Sequence, residues 1–149
     1  MNELKPFDDA LAGLITSLTP KARKALAVTI AKRLRTSQQQ RIKRQQAPDG
    51  TPYAARKSQP LRKPKGRIKR EMFAKLRTAR YMKANSSPDA AVVEFAGRVE
   101  RMAAVHHFGL RDRPSIHSQE MKYEERPLLG FSLQDRELVE NAVIACLAK

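Results

Sequence analysis

The chain has 149 residues, with 30 Lys and Arg against 15 Asp and Glu and a formal net charge of +15. That length makes one domain with a modest core; its single cysteine, Cys146, excludes an internal disulfide, and no apolar run reaches the roughly 18 residues of a membrane span. The charge is uneven, because residues 21–80 hold 20 Lys and Arg against two acids, Asp49 and Glu71, which leaves the flanks together slightly acidic.

The chain opens on Met1–Leu14, which lacks the basic start and apolar core of a secretion signal, so a reducing cytoplasm is expected until the protein joins something else. Residues 6–18 predict an amphipathic helix with Phe7, Leu11, Leu14, Ile15 and Leu18 on one side. Thr19-Pro20 is a restart signal, with Thr as the cap and Pro at the first helical position. Leu26, Ile30 and Leu34 then step by four along a second helix. No breaker intervenes before Pro48, so residues 36–46 are expected to prolong that helix as a polar, outward-facing extension.

Pro48-Asp49-Gly50 is a strong turn, and Pro52, Pro60, Pro64 and Gly66 punctuate the chain beyond it. Residues 36–66 are poor in apolar side chains and read as a basic extension and arm, lying on a partner or poorly ordered alone. A third helix is expected over 67–79, with Ile68, Met72, Phe73 and Leu76 on one side. Residues 81–96 read as strand, turn, strand. A short helix over 98–108 should end at Gly109, which suits a left-handed terminus. Residues 110–126 are charged and read as irregular. Ser132 can cap a last helix, with Asp135 in a capping-box position, that buries Leu133, Leu138, Val139, Ala142, Val143, Cys146 and Leu147. The expected class is α+β: several helices packed with a small antiparallel hairpin, plus a basic extended arm, in a single domain over 1–149.

Little here resembles a catalytic site. His106 and His107 are adjacent and point apart, so they chelate poorly; the plain reading packs one inside and exposes the other. His117 has no Cys near it to complete a zinc set. Glu94, Glu100, Glu124 and Glu125 have no acid/base or nuclease spacing, and Ser118, Ser132 and Cys146 lack a base at recognisable distance. No catalytic residue, metal or cofactor is expected.

The basic segment is the functional signal. A single-sign field of this density must face DNA, RNA, an anionic membrane or an acidic protein. Its candidate contact residues are Arg41, Lys43, Arg44, Arg56 and Lys57, then Arg62, Lys63, Lys65, Arg67, Lys69 and Arg70. Phosphate neutralisation by these cations is one reading. The other is a positive surface that meets an acidic protein or lines a passage for DNA. Aromatics for stacking on single strands are missing apart from Tyr53. Gln38, Gln39 and Gln40 can read base edges or merely be solvated.

Residues 41–57, RIKRQQAPDGTPYAARK, contain Gln45, Ala47, Pro48, Asp49, Gly50, Tyr53 and Arg56 in a Q-x-A-P-D-G-x-x-Y-x-x-R pattern. This resembles the signature of the phage virion morphogenesis family, the tail-completion proteins of temperate contractile-tailed phages. Three further stretches match in order. Lys69 to Leu76 looks like the family's basic M-F-x-K-L helix, Val105-His106-His107-Phe108-Gly109 like its V-H-x-F-G segment, and Arg126-Pro127-Leu128-Leu129-Gly130-Phe131 like its R-P-x-L-G-F motif. The resemblance covers nearly the whole chain and departs in residues 110–125. It implies a non-enzymatic virion protein that completes the tail and enables head–tail joining. The expected setting is a ring in the neck, most simply a hexamer, beside tail-terminator, tail-tube or head-connector proteins, with DNA in its channel. A free nucleic-acid-binding protein using residues 36–80 is the alternative. Tyr53 is either a partner anchor or packed against its own helix end. Arg126-Pro127 is expected to fix the approach of the last helix.

Overall fold

The computed structural model describes residues 5–56 and 71–148. Helices α1 (Lys5–Thr16) and α2 (Pro20–Lys43) are followed by strands β1 (Met82–Ser86) and β2 (Ala91–Phe95), helix α3 (Gly97–Phe108), strands β3 (Arg111–Asp112) and β4 (Met121–Lys122), and helix α4 (Leu133–Leu147). The class is α+β, with β1 paired to β2 and β3 paired to β4 in two separate two-stranded sheets. No helix among the described residues is long and apolar enough to cross a membrane. The chain clusters into two compact units. The first comprises Met1–Ser37, Lys83–Glu94 and Leu133–Lys149, the second Gln38–Met82 and Phe95–Ser132.

The first unit is built on helical periodicity. Leu26, Ala142 and Val143 are buried, and Leu11, Ile15, Leu18, Ile30, Val139, Cys146 and Leu147 pack against them. Each set lies on one side of its helix, the pattern of an amphipathic element. Thr19 caps α2, its hydroxyl accepting the Ala22 N–H at 3.2 Å. Between β1 and β2 the Ser87 N–H donates to the Ala90 carbonyl, and the Ser87 hydroxyl accepts the N–H groups of Asp89 and Ala90.

Several side chains in this unit depart from expectation. Leu14 and Leu133 are exposed, and Leu138, Val139, Cys146 and Leu147 are only half-buried. At 100° per residue, Leu138 and Leu133 fall to the side of the stripe formed by Val139, Val143 and Cys146. Asp135 is fully buried, and its carboxylate accepts a hydrogen bond from the Ser37 hydroxyl. A first-turn acid suits the helix dipole, but its side chain reaches to α2.

The second unit buries Ile42, Ala47, Leu76, Met82, Val99, Ala103, Val105 and Leu128. Ile42 and Ala47 belong to the segment expected to hold no core, so the described part of the arm is anchored. The second helix continues to Lys43, but the expected outward extension is wrong for one face: Gln38, Arg41 and Ile42 are buried. α3 ends at Gly109 as expected, in the left-handed conformation with φ 67° and ψ 49°.

The helix expected over 67–79 is absent from its described part. Residues 73–81 form successive bends and turns, and Phe73 has a φ of 66°, which no right-handed helix accommodates. Residues 67–70 lie outside the described residues. The cause is Gln45, whose side-chain oxygen accepts the Met72 N–H and whose amide donates to the Met72 carbonyl, both at 2.9 Å. That clamp takes the two backbone groups a helix would use there. Residues 110–126 are not wholly irregular either. β3 and β4 pair antiparallel, Arg111 opposite Lys122 and Asp112 opposite Met121.

Candidate functional site

Most described motif residues fall in the second unit, where short-range turn chemistry brings them together. α2 ends as Gln45 takes a left-handed φ of 57° and its N–H returns to the Ile42 carbonyl. The chain then turns at Ala47–Thr51: the Gly50 N–H donates to the Ala47 carbonyl, and the Ala47 N–H to the Thr51 carbonyl. The Asp49 carboxylate accepts the Thr51 N–H at 2.9 Å, which holds its pKa below the usual carboxylate value. The Tyr53 N–H closes the turn on the Gln45 carbonyl at 2.8 Å.

Segment 126–130 fastens this turn to α3 and to the end of α2. Arg126 is buried; its Nε donates to the Ala54 carbonyl at 3.0 Å and its Nη2 to the Ala55 carbonyl at 3.2 Å. Its backbone N–H donates to the His106 carbonyl. The Pro127 carbonyl accepts the Tyr53 hydroxyl at 2.8 Å. The Leu128 N–H donates to His107 Nδ1 at 3.1 Å. Arg41 Nη2 reaches the Leu128 and Gly130 carbonyls at 3.4 and 3.3 Å and also bonds Gln38, whose Oε1 accepts the Gly130 N–H. Gly130 sits so close to Pro48 that a Cβ would lie 2.7 Å from its ring.

Four rings form an edge-to-face series through the same region. Tyr53 meets Phe73 at 5.8 Å between centroids, Phe73 meets His106 at 5.1 Å, and His106 meets Tyr123 at 5.0 Å. Burial pushes the Tyr53 phenol up to about 12, against the opposing pull of Arg41 and Arg126. Burial lowers the His106 pKa, and the neighbouring Arg126 charge lowers it further. Burial also lowers that of His107, with Glu125 opposing.

The sequence candidates therefore divide. Arg41 is not an outward contact: it is buried, spent on carbonyls and on Gln38. Lys43, Arg44 and Arg56 are exposed. Lys57, Arg62, Lys63, Lys65, Arg67, Lys69 and Arg70 lie outside the described residues. Asp49 and Gly50 are exposed at the turn. Val105 is buried, Leu129 half-buried and Phe108 exposed. Tyr53 is anchored within its own chain, and Arg126 holds residues 54 and 55 rather than the start of α4. Both histidines at 106 and 107 are half-buried and packed, so neither takes the exposed role expected for one of them.

Gln38, Phe73, His107 and Tyr123 complete the cluster; the sequence offered the first three only in other roles, and Tyr123 in none. One signal was present: Leu34, Gln38, Arg41, Ile42 and Gln45 recur at helical spacing, so three polar residues share the inward stripe. Among the described residues, no group of three or more His, Cys, Asp or Glu is placed to hold a metal ion. A cleft of about 330 Å³ beside the cluster is lined by Arg56, Glu71, Met72, Phe73, His106, Met121, Lys122, Tyr123, Glu124 and Arg126. Lys122 donates to the Gly109 carbonyl and Arg126 to Ala54 and Ala55, so both cations are committed to the backbone.

The phage virion morphogenesis family matches residues 2–148. Tail completion protein S of Escherichia phage P2 is 47% identical over 150 residues, a match covering 100% of each chain. No solved structure matches the chain.

Proposed function

The chain belongs to the phage virion morphogenesis family, and from that membership we propose that it is a non-enzymatic structural protein that completes the phage tail and enables its joining to the head. The observation that carries this reading is the end-to-end match to a tail completion protein at 47% identity. The match over 2–148 supports treating the two compact units as parts of one domain. The proposed setting is the virion neck, with assembly in the host cytoplasm. There the protein forms a ring, most simply a hexamer, around the DNA channel and next to tail-terminator, tail-tube or head-connector proteins.

Two features support a role in assembly. The turn and residues 126–130 of the R-P-x-L-G-F segment are spent in holding the second unit together, which leaves other surfaces, Phe131 included, for partners. Ile116, Leu133, Phe131 and Phe108 are large apolar side chains at 85, 78, 74 and 62% exposure. Exposed groups of this kind suit subunit contacts, and heterologous contacts between identical subunits close into rings.

Electron microscopy of virions made without this protein tests the proposal. Separated filled heads and unjoined tails are expected; normally joined particles would overturn it. A fivefold variant, Arg62, Lys63, Lys65, Arg67 and Lys69 each changed to Gln, tests the basic arm. Reduced joining with an unchanged melting midpoint is expected, whereas a normal joining rate makes that arm a solvated face.

A further inference from the structure

We propose that the exposed face of α2 from Lys21 to Arg33 is a binding surface for the phosphates of duplex DNA. It lies outside the basic arm and within the first unit. α2 has no acidic residue from Pro20 to Lys43. Lys21, Lys24, Lys32 and Arg33 are all exposed, and none forms an ion pair among the described residues. Arg23, which is turned inward, does have an acidic neighbour, with Asp89 at 3.9 Å. The outward cations are those left without one.

Helix geometry aligns them. Lys21 and Lys32 are eleven residues apart, so they lie on nearly the same row, about 16 Å apart along the axis at 1.5 Å per residue. Lys24 lies about 60° to one side of that row and Arg33 about 100° to the other, so only the length of their side chains brings them to it. Between them stand Ala25, which is small, the half-buried Val28, and Thr29, whose hydroxyl is turned onto the Ala25 carbonyl at 3.2 Å. The row is therefore smooth, cationic and open to close approach. Lys21 also sits in the first turn, where the helix dipole favours acids. A cation there works against local stability, and such departures from local consistency concentrate where function demands them.

The composition of the face selects the partner. Protein interfaces are depleted in Lys at their centres and rely on aromatic, Met and Arg anchors. No exposed aromatic side chain interrupts this row, which also leaves nothing for the bases of a single strand to stack on. Duplex DNA offers about one negative charge per 1.7 Å of axis, so four cations along this helix find phosphates without a specific register. The proposal stands apart from the neck reading: a cationic helix binds duplex in solution whether or not a ring forms, so the two fail in different experiments.

The test uses the purified full chain and a fluorescein-labelled 20-base-pair duplex of arbitrary sequence, with anisotropy read from 50 to 200 mM NaCl. Affinity should fall steeply with salt. In the K21Q/K24Q/K32Q/R33Q variant, the slope of log K against log salt should shrink by about 3 to 4, because each lost phosphate contact removes about 0.9. The pairs K21Q/K24Q and K32Q/R33Q should each remove about half of that, and thermal melts establish which variants remain folded. An unchanged slope in the folded variants overturns the proposal. So does tighter binding to a single strand of the same length. Loss of binding to polyglutamate with duplex binding intact would assign the face to an acidic protein and overturn it as well.

Discussion

The Tyr53 hydroxyl donates to the Pro127 carbonyl at 2.8 Å, across 74 residues of sequence. This single bond joins the turn that ends α2 to the segment that leads to α4. Arg126 binds the carbonyls of Ala54 and Ala55 immediately beyond Tyr53, so adjacent residues on each side fasten the same two strands of chain. The signature turn is thereby an internal fastening, made at three consecutive positions of residues 53–55.

Changing Tyr53 to Phe should keep the ring contact to Phe73 and leave the Pro127 carbonyl without its donor. A loss of about 0.5–1.5 kcal/mol is expected by urea unfolding. The pH profile is a second readout. Folding raises this phenol from its ordinary value of 10 to about 12, so its contribution is complete below pH 10 and is lost as pH rises through 12. Over that window the wild type should lose more stability than the Phe variant. Parallel profiles would mean that the hydroxyl is not held in the fold.

Arg126→Ala should cost more, about 2–4 kcal/mol, because charged donors to buried carbonyls are the stronger kind of hydrogen bond. It should also release residues 54–56, and trypsin should cut after Arg56 faster than in the wild type. Arg126→Lys supplies one flexible point charge in place of a planar fork, so it should recover stability only in part. Equal cleavage rates in all three proteins would remove Arg126 as the fastening.

Much of this was legible in the sequence, and the illegible parts share a cause. Thr19-Pro20, Gly109 and the aliphatic stripe of Leu26 and Val143 act through local backbone preference and periodicity, which a sequence displays directly. Arg41 and Gln38 misled because their charge and polarity signal solvent, while Arg41 meets two backbone carbonyls, and Gln38 a backbone N–H, some 90 residues away. The third helix failed for a related reason. Met72, Phe73 and Leu76 have helical spacing, but the Gln45 side chain, 27 residues earlier, takes the backbone of Met72. Tyr53 and Arg126 were singled out by residue type and motif, yet nothing in their own segments identified each other's segment as the partner.

On α4, two aliphatic residues should separate. Val143 is 2% exposed in the core of the first unit, while Leu138 is half-buried. Val143→Ala should destabilise by about 1.5–3 kcal/mol, near the full value of a buried aliphatic side chain. Leu138→Ala should cost less despite deleting more atoms. A larger loss at Leu138 would place an additional apolar contact over that side of the helix.

His106 makes stability acid-sensitive. Its Nδ1 is buried without a hydrogen-bond partner, and burial together with Arg126 holds its pKa below 6.5. Above pH 6.5 it is neutral in both the folded and unfolded states. As pH falls below 6.5 the unfolded chain takes up a proton that the folded state resists, so stability declines until the lowered native value is passed. His106→Phe preserves a ring against Phe73 and Tyr123 and should flatten the melting midpoint between pH 7.5 and 5. The slope that remains should include His107, whose pKa is also lowered.

Three glycines should rank by what surrounds them. Gly50 has a φ of 88° but open space around it, so Gly50→Ala should cost only the left-handed penalty, about 1–2 kcal/mol. Gly130 meets the Pro48 ring, with an added Cβ standing 2.7 Å from Cγ; Gly130→Ala should cost about 1–3 kcal/mol by overpacking and strain the fastening between the turn and segment 126–130. Gly109 combines both problems. Its φ is 67°, and an added Cβ would stand 2.8 Å from the Glu125 backbone nitrogen, which cannot swing aside as a flexible side chain can. Gly109→Ala should therefore be the most damaging of the three, displacing residue 125 and with it the Arg126 N–H bond to the His106 carbonyl. Urea midpoints for the three single variants give the ranking. If Gly50→Ala proved as costly as Gly109→Ala, the turn would have to be packed against structure, and its place as an exposed tip would be wrong.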